Sequence, residues 1–269
     1  MRPSFVNLPK PFIVDVITDT NPTDALATMR NAEYAGAQAF DLHLRSLNPE
    51  FHNEKDLESI IKATDKPVML INYRGDTNFK GLATDEERVE SNLKGIRAGA
   101  SAVDIMGDFF DPQPLQITRN PEIIDKQKKL IDQIHSLGAE VIMSSHTFGV
   151  HHKPEQAVEH LSALAARGAD MVKLAETLSS EDELLEAFQT TVMLRRELKV
   201  PFIHICMGQW GKLHRFVGPM LGSSLIFCVE QYTAKGHKEQ PLLRAAKTVF
   251  DNLDWAVARS ATEGMKYDK

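Results

Sequence analysis

Lys173 has the residue type and the surroundings of an amine that attacks carbonyl groups. It lies in the apolar stretch MVKLA, residues 171–175, which is typical of a buried strand. Burying an ammonium ion is costly, so a lysine in such a stretch either pairs with an acid or loses its proton. The neutral amine forms imines with ketones, which makes Lys173 a candidate nucleophile. The alternative is a buried ion pair, with Asp41 or Glu176 as the expected partner.

His146 is the candidate for the proton transfers that imine chemistry requires. It ends the strand-like run 140–146, in which Ile142, Ser144 and His146 share one face. An imidazole titrates near neutral pH and serves as a general base or acid. A structural hydrogen-bonding role fits the same pattern, and the run alone leaves both interpretations open.

Further polar residues occupy positions from which they could hold a substrate. Asp41, His43 and Arg45 alternate with apolar residues and share one face, which is costly unless they meet partners or a ligand. Arg74 ends the third strand-like run and Arg215 follows the seventh. Arginines can bind a carboxylate or phosphate through paired hydrogen bonds. An internal ion cluster and two surface arginines are the alternatives.

Eight short apolar runs alternate with amphipathic segments and must position these residues. We predict strands at residues 11–19, 37–44, 67–74, 102–107, 140–146, 170–175, 201–207 and 225–229. We predict helices at 24–35, 55–63, 85–98, 121–137, 154–167 and 180–198, a shorter one around 218–221, and a last one at 242–256. Alternating strands and helices predict an α/β protein, a (βα)8 TIM barrel, with residues 1–269 forming a single domain. A doubly wound sheet is disfavoured because no glycine-rich phosphate loop follows the first strand.

Composition narrows the class of protein. The chain has 269 residues, 42% of them hydrophobic, and a formal net charge of -6, which disfavours nucleic-acid binding. Cys206 and Cys228 lie in apolar runs and are expected to be buried thiols. No run approaches the length of a membrane span, and the first residues lack a signal-peptide core, so we expect a cytoplasmic protein with a small-molecule partner.

Several segments together resemble the type I 3-dehydroquinate dehydratases. They are VIMSSHTF at 141–148, GADMVKLA at 168–175 and PFIHICMGQWGKLHR at 201–215, followed by Gly222, Ser223 and Phe227, and the similarity is colinear over about residues 10–260. The resemblance implies a Schiff-base lyase that acts on 3-dehydroquinate or a related hydroxylated cyclic keto acid. It also implies a shikimate-pathway enzyme, a possible homodimer, and no need for a metal or cofactor.

The resemblance assigns roles residue by residue. Lys173 matches the lysine that forms the imine, and His146 matches the general base and acid. The remaining matches concern substrate binding: Arg215 for the carboxylate, Arg74 as a further arginine at the mouth, and Met207 and Phe227 as apolar neighbours of the substrate.

Departures from the family pattern affect the residues that would recognise hydroxyl groups. Asp41, His43 and Arg45 stand where the family has Glu-x-Arg-x-Asp. Asn78 falls where the family has the Glu that orients the catalytic His, and Thr147 replaces the Asp that follows that His. The family's Ser-Ala-Pro-Gly-Gln lid is replaced by AKGHKEQ at 234–240, with Gln240 as the counterpart of the last residue.

Three alternatives therefore stay open. One is a class I aldolase or another Schiff-base lyase with a different carbonyl substrate. The second is a metal-dependent barrel isomerase or lyase that uses His146 with His151 and His152, although adjacent loop histidines are more often solvent-exposed. The third is a ligand sensor that has the barrel without turnover.

Overall fold

Eight parallel strands form the centre of the molecule. The computed structural model describes residues 2–74, 84–232, 239–253 and 255–257. The strands are β1 (Phe12–Ile17), β2 (Ala39–His43), β3 (Val68–Ile71), β4 (Ala102–Met106), β5 (Glu140–Thr147), β6 (Met171–Thr177), β7 (Phe202–Met207) and β8 (Leu225–Cys228). All eight predicted strands are present, and their ends differ from the predicted ones by up to three residues.

Eight helices alternate with these strands. They are α1 (Pro22–Tyr34), α2 (Glu54–Ile61), α3 (Asp85–Arg97), α4 (Pro121–Ser136), α5 (Pro154–Ala165), α6 (Glu181–Glu197), α7 (Gly208–Leu221) and α8 (Leu243–Leu253). Capping side chains explain several starts: Asn21, Thr84 and Ser180 each accept a hydrogen bond from a backbone N–H of the first turn. None of the described helices is long and apolar enough to cross a membrane.

The strands run in the order β7-β6-β5-β4-β3-β2-β1-β8, with parallel pairing throughout. The junction between β7 and β8 is bridged by Ser223 and Ser224: the Ser224 N–H donates to Phe202 O at 2.8 Å, and the His204 N–H donates to Ser223 Oγ at 3.0 Å. The sheet is therefore a nearly closed (βα)8 barrel, which confirms the predicted fold class.

Alternation along each strand separates two apolar clusters. On β2, Phe40 and Leu42 pack with the helices in the outer cluster, whereas Ala39 belongs to the inner cluster. The inner cluster also contains Ile142 of β5 and Phe227 of β8. Side chains at the same parity as these inner residues point into the barrel, and towards the carboxyl ends of the strands they become polar.

Helix α7 corrects the predicted short helix around residues 218–221. It spans Gly208–Leu221 and begins directly after β7. Gly208 has φ +83°, and a Cβ on Gly211 would come within 2.5 Å of the Cys206 carbonyl oxygen, so both glycines permit a tight start against the strand. The prediction was wrong because these glycines and Pro219, which lies inside the helix, are typical of a loop.

Candidate active site

Lys173 points into the barrel and is buried, with 3% of its surface exposed. Its Nζ donates to Tyr73 Oη at 2.8 Å and lies 3.3 Å from Asp104 Oδ2. It also lies 5.0 Å from the centre of the Phe227 ring, within the range of a cation–π contact. An ion pair is therefore present, but its partner is Asp104 and neither Asp41 nor Glu176.

Tyr73, Asp104 and Ser144 surround the amine, and sequence reasoning assigned a role to none of them. The Tyr73 hydroxyl donates to Asp104 Oδ2, and the Ser144 hydroxyl donates to Asp104 Oδ1 at 2.5 Å. Burial raises the pKa of Asp104, and the Lys173 cation opposes this. Burial and the Asp104 charge raise the pKa of Tyr73 well above its usual value, so the phenol keeps its proton. Asp104 interrupts the apolar run of β4 as Lys173 interrupts that of β6, so the sequence pattern could have identified Asp104 as a candidate.

His146 lies two residues further along β5 than Ser144, which pairs with Lys173 in the β5–β6 register. Its ring packs edge-on against Tyr73, with 4.5 Å between ring centres. Lys173 and His146 therefore contact the same tyrosine, which lies just past the carboxyl end of β3. Burial, followed by the nearby charges of Lys173 and Arg45, lowers the pKa of His146 well below its usual value, so the imidazole is neutral near pH 7.

Gln116, in the connection between β4 and α4, sets the tautomer of His146. Its side-chain oxygen accepts the His146 backbone N–H at 2.7 Å and lies 3.1 Å from Nδ1. Because an amide oxygen only accepts hydrogen bonds, Nδ1 must carry a hydrogen, and the lone pair of the neutral ring is on Nε2. No pattern in the sequence points to Gln116, since it lies in a loop at φ +49°.

Replacing Gln116 by glutamate tests this arrangement. A carboxylate against Nδ1–H stabilises the imidazolium, so we expect the pKa of His146 to rise in the Gln116→Glu variant. Nitrogen chemical shifts of the His146 ring, followed from pH 4 to 8, measure both tautomer and titration. The matched variant Gln116→Leu should keep the low pKa and lose the preference for Nδ1–H. An unchanged titration in the Gln116→Glu variant would contradict the contact.

Asp41 and His43 of β2, together with Arg45 just after that strand, lie near these groups. His43 Nε2 is 3.2 Å from Asp41 Oδ2, and Arg45 follows in a short 3-10 turn. The charges of His43 and Arg45 act on His146, and the charge of Asp41 acts on Tyr73 and Asp104. The structure thus brings this face into the neighbourhood of Lys173 and His146, as its parity predicts.

Arg74 follows β3 after Asn72 and Tyr73, and it forms ion pairs with two acids. Its guanidinium binds the Asp108 carboxylate through both terminal nitrogens, and Nε lies 3.2 Å from Asp85 Oδ1. These carboxylates neutralise the cation within the protein. A substrate carboxylate would have to compete with them, so the expected binding role of Arg74 stays a prediction.

The other proposed binding residues come from the last elements of the barrel. Arg215 lies on α7, where burial lowers its pKa and the Glu239 carboxylate opposes this. Met207 ends β7, and Phe227 lies on β8 against Lys173. Gln240 lies partly buried between β8 and α8. Asn78 and positions 234–238 of the replaced lid lie outside the described residues.

A histidine cluster surrounds Glu176 on the opposite face of β6. His152 N donates to Glu176 Oε2 at 2.7 Å, and His204 Nε2 lies 2.8 Å from Oε1. His151 bridges Glu176 and Glu186. The expectation that His151 and His152 are solvent-exposed was therefore wrong, because the buried carboxylate pulls the loop after β5 inward.

Within the described chain, one group of side chains has metal-ligand spacing. The ligand atoms of His204, Cys206 and His214 lie within 4.8 Å of one another. Thr191 Oγ1 lies 2.8 Å from His204 Nδ1 and 2.9 Å from His214 Nε2, and the other nitrogen of His204 contacts Glu176. These contacts already account for three of the four imidazole nitrogens. Cys206 and Cys228 are buried free thiols, as predicted.

His160 on α5 predicts a pH dependence of stability. It is buried, its Nε2 lies 2.8 Å from Ser145 Oγ, and burial followed by neighbouring charges lowers its pKa from 6.5 to about 4. The unfolded chain binds this proton more tightly than the folded protein does. The free energy of unfolding is therefore highest above pH 6.5 and declines between pH 6.5 and pH 4. His160 accounts for a loss of up to about 3 kcal/mol. Urea unfolding of the wild type and of His160→Gln at pH 7 and pH 4.5 measures the effect. The variant should lose less stability than the wild type, and equal losses would contradict the assignment.

A nearly closed parallel barrel with a buried amine beside an oriented, neutral imidazole defines a (βα)8-barrel enzyme. The model of the type I 3-dehydroquinase family matches residues 13–253. The chain belongs to that family.

Relatives in sequence agree with this membership, and a solved structure shares the fold. A 3-dehydroquinate dehydratase from Methanosarcina acetivorans is 27% identical over 233 residues, covering 85% of this chain and 90% of that protein. One from Alkaliphilus oremlandii is 30% identical over 126 residues, which span 44% of this chain and about half (49%) of that protein. The type I 3-dehydroquinate dehydratase of Clostridium difficile superimposes with a TM-score of 0.77 at 18% identity, covering 94% of this chain and 98% of that one.

Proposed function

We propose that this chain is a carbon–oxygen lyase that dehydrates 3-dehydroquinate through an imine on Lys173, with His146 as the proton-transfer residue. Family membership and the names of the relatives support the reaction and the substrate. One observation supports the residues: Lys173 Nζ and the His146 ring both contact Tyr73, at the end of the barrel where (βα)8 enzymes carry out their chemistry.

The reaction follows from the properties of these two groups. Lys173 loses a proton and its amine adds to the ring ketone; return of that proton to the hydroxyl of the adduct releases water and leaves a protonated imine. This cation withdraws electrons and acidifies the adjacent C–H. Nε2 of His146 removes that proton, and the resulting imidazolium then protonates the departing hydroxyl group. Water finally cleaves the imine and releases the unsaturated ketone. A positioned base such as His146 typically accelerates a reaction by about 100- to 10,000-fold.

Substrate binding is assigned to residues around this pair. Arg215 would bind the carboxylate, Phe227 and Met207 would cover the apolar face of the ring, and Gln240 would lie at its edge. Asp41, His43 and Arg45 would contact the hydroxyl groups, with Arg74 at the margin. Paired hydrogen bonds from an arginine recognise a carboxylate specifically, which supports the assignment to Arg215.

Other properties of the protein are proposals of the same kind. Residues 1–269 would form a single domain, and the protein would work in the cytoplasm on a small molecule and without nucleic acid. A homodimer follows from the family resemblance. The reaction would belong to the shikimate pathway and to aromatic amino acid biosynthesis.

A turnover assay with 3-dehydroquinate tests the function. We expect the appearance of a conjugated ketone, followed by its ultraviolet absorbance, and the same rate in excess chelator. Acyclic sugar-like ketones serve as the comparison for the aldolase alternative. Carbon–carbon cleavage of those ketones without dehydration of 3-dehydroquinate, or loss of the activity on chelation, would overturn the proposal.

A further inference from the structure

The Tyr73 hydroxyl contacts both the amine of Lys173 and the carboxylate of Asp104, and it lies closer to the amine than Asp104 Oδ2 does, at 2.8 Å against 3.3 Å. It accepts a hydrogen bond from Lys173 Nζ at 2.8 Å and donates its own hydrogen to Asp104 Oδ2. Asp104 has no exposed side-chain surface, and its second oxygen receives the Ser144 hydroxyl. The three groups therefore form a short, directed chain of hydrogen bonds that ends at the reactive nitrogen.

These hydrogen bonds suggest how Lys173, although ion-paired, can become a nucleophile. Lys173 forms an ion pair with Asp104, and an ammonium ion in such a pair has no lone pair with which to attack a ketone. The proton must leave before the attack and must be returned later, because the leaving hydroxyl group of the first adduct needs a proton. Asp104 can take it, since burial raises the pKa of this carboxyl and protonation removes a charge from the barrel interior.

We propose that Tyr73 is a catalytic residue that relays a proton between Lys173 and Asp104 during formation and hydrolysis of the imine. The inference rests on the proposed function and adds to it, because it assigns the proton transfers of imine formation to groups other than His146. His146 is then reserved for the transfers at carbon and at the hydroxyl group that is eliminated.

In the first half of the relay, one proton moves from Lys173 Nζ to the Tyr73 oxygen while the hydrogen of the phenol moves to Asp104 Oδ2. The products are a neutral amine, an unchanged phenol and a neutral carboxylic acid. The lone pair of the amine then forms the carbon–nitrogen bond, the carbonyl π electrons move to oxygen, and transfer of a proton from nitrogen to oxygen gives the neutral carbinolamine.

In the second half, the same proton returns. The phenol protonates the carbinolamine hydroxyl and takes the hydrogen of Asp104 in exchange. The carbon–oxygen bond breaks, water leaves, and the nitrogen lone pair forms the double bond of the protonated imine. Asp104 is a carboxylate again and faces the new cation, so ammonium and ketone have become protonated imine and water with no net gain or loss of protons.

The location of His146 fits this division of labour. Its ring lies against the ring of Tyr73 and not between Lys173 and Asp104. Its Nδ1 is held by Gln116, so only Nε2 is available to the substrate. An imidazole that is fixed in this way can serve carbon atoms next to the imine while the tyrosine serves the nitrogen.

Rapid mixing of the enzyme with 3-dehydroquinate, followed by borohydride quenching and mass analysis, measures how fast the Lys173 adduct forms. We expect Tyr73→Phe, which keeps the ring and removes the hydroxyl, to slow adduct formation by about 100-fold or more. His146→Ala should form the adduct at nearly the wild-type rate and accumulate it. Tyr34→Phe, which removes a hydroxyl from a side chain that is 97% exposed, is the matched control and should equal the wild type.

The outcomes separate the two proposals. Adduct formation by Tyr73→Phe at the wild-type rate would overturn the relay and leave the proposed function standing, whereas a wild-type enzyme that forms no adduct would overturn both. Should Tyr73→Phe fail to fold, 3-fluorotyrosine at position 73 keeps the shape and makes the phenol more acidic. A relay then predicts a changed rate and a changed solvent isotope effect for adduct formation, and no change in either would refute it.

Discussion

Replacing Lys173 by alanine will abolish dehydration of 3-dehydroquinate, with kcat falling by about 10,000-fold or more. In the proposed mechanism, the amine supplies the cation that acidifies the substrate, and no other lysine is placed in the described interior of the barrel. Steady-state kinetics measures the loss. Inactivation by borohydride in the presence of substrate should disappear in the same variant.

Two controls separate nucleophilicity from charge. Lys173→Arg keeps a cation beside Asp104 and Tyr73 but removes the amine that forms imines, so it should be as inactive as Lys173→Ala. Lys173→Met keeps the length of the side chain without its charge and should also be inactive. Activity above a few per cent of the wild type in any of the three variants would show that the lysine acts as a cation or a structural group.

Replacing His146 by alanine will lower kcat by about 100- to 10,000-fold, which is the usual contribution of a positioned acid and base. The imine should still form, because Lys173, Tyr73 and Asp104 are untouched, and it should persist because the C–H proton is no longer removed. Mass spectrometry of the protein after incubation with 3-dehydroquinate and reduction should therefore show more adduct than the wild type shows.

His146→Gln is the matched control for this prediction. Glutamine can donate a hydrogen bond from a similar position and cannot accept a proton at neutral pH, so it should be as slow as alanine. If the His146→Ala variant retains wild-type kcat, or neither variant forms an adduct, His146 does not have the proposed role.

The alternation of apolar strands and amphipathic helices was sufficient to predict the barrel. Each βα unit carries its own signals, such as the asparagine and serine caps of α1 and α6, so the elements could be counted without knowing their contacts. The start of α7 could not be predicted, because Gly208 and Gly211 are required by the close approach of the helix to β7, and glycines in sequence indicate a loop.

Within the candidate site, the direction of a side chain could be predicted only where a strand pattern orients it. Lys173 and His146 lie on strands of known parity, so the inward direction of both side chains follows from alternation. The prediction of the ion-pair partner of Lys173 was wrong, because strand parity does not show which inward-facing acid lies nearest to it. Gln116 could not be predicted, since its contact with His146 depends on the path of a loop that no periodicity describes.

The buried carboxylates also show which contacts a strand pattern can predict and which it cannot. Glu176 was considered as a partner of Lys173, yet it points to the other side of β6 and binds His152 and His204. Parity places Glu176 opposite Lys173, so this error could have been avoided. The burial of His151 and His152 could not have been foreseen, because it follows from the fold of the loop after β5.

The most direct measurement is the mass of the peptide that contains residue 173 after the wild-type enzyme is reduced with borohydride in the presence of 3-dehydroquinate. The account predicts a single stoichiometric adduct on Lys173, with the mass of the reduced imine, that depends on both reagents. An adduct on a different lysine, or an unmodified peptide from an enzyme that is turning over, would contradict it.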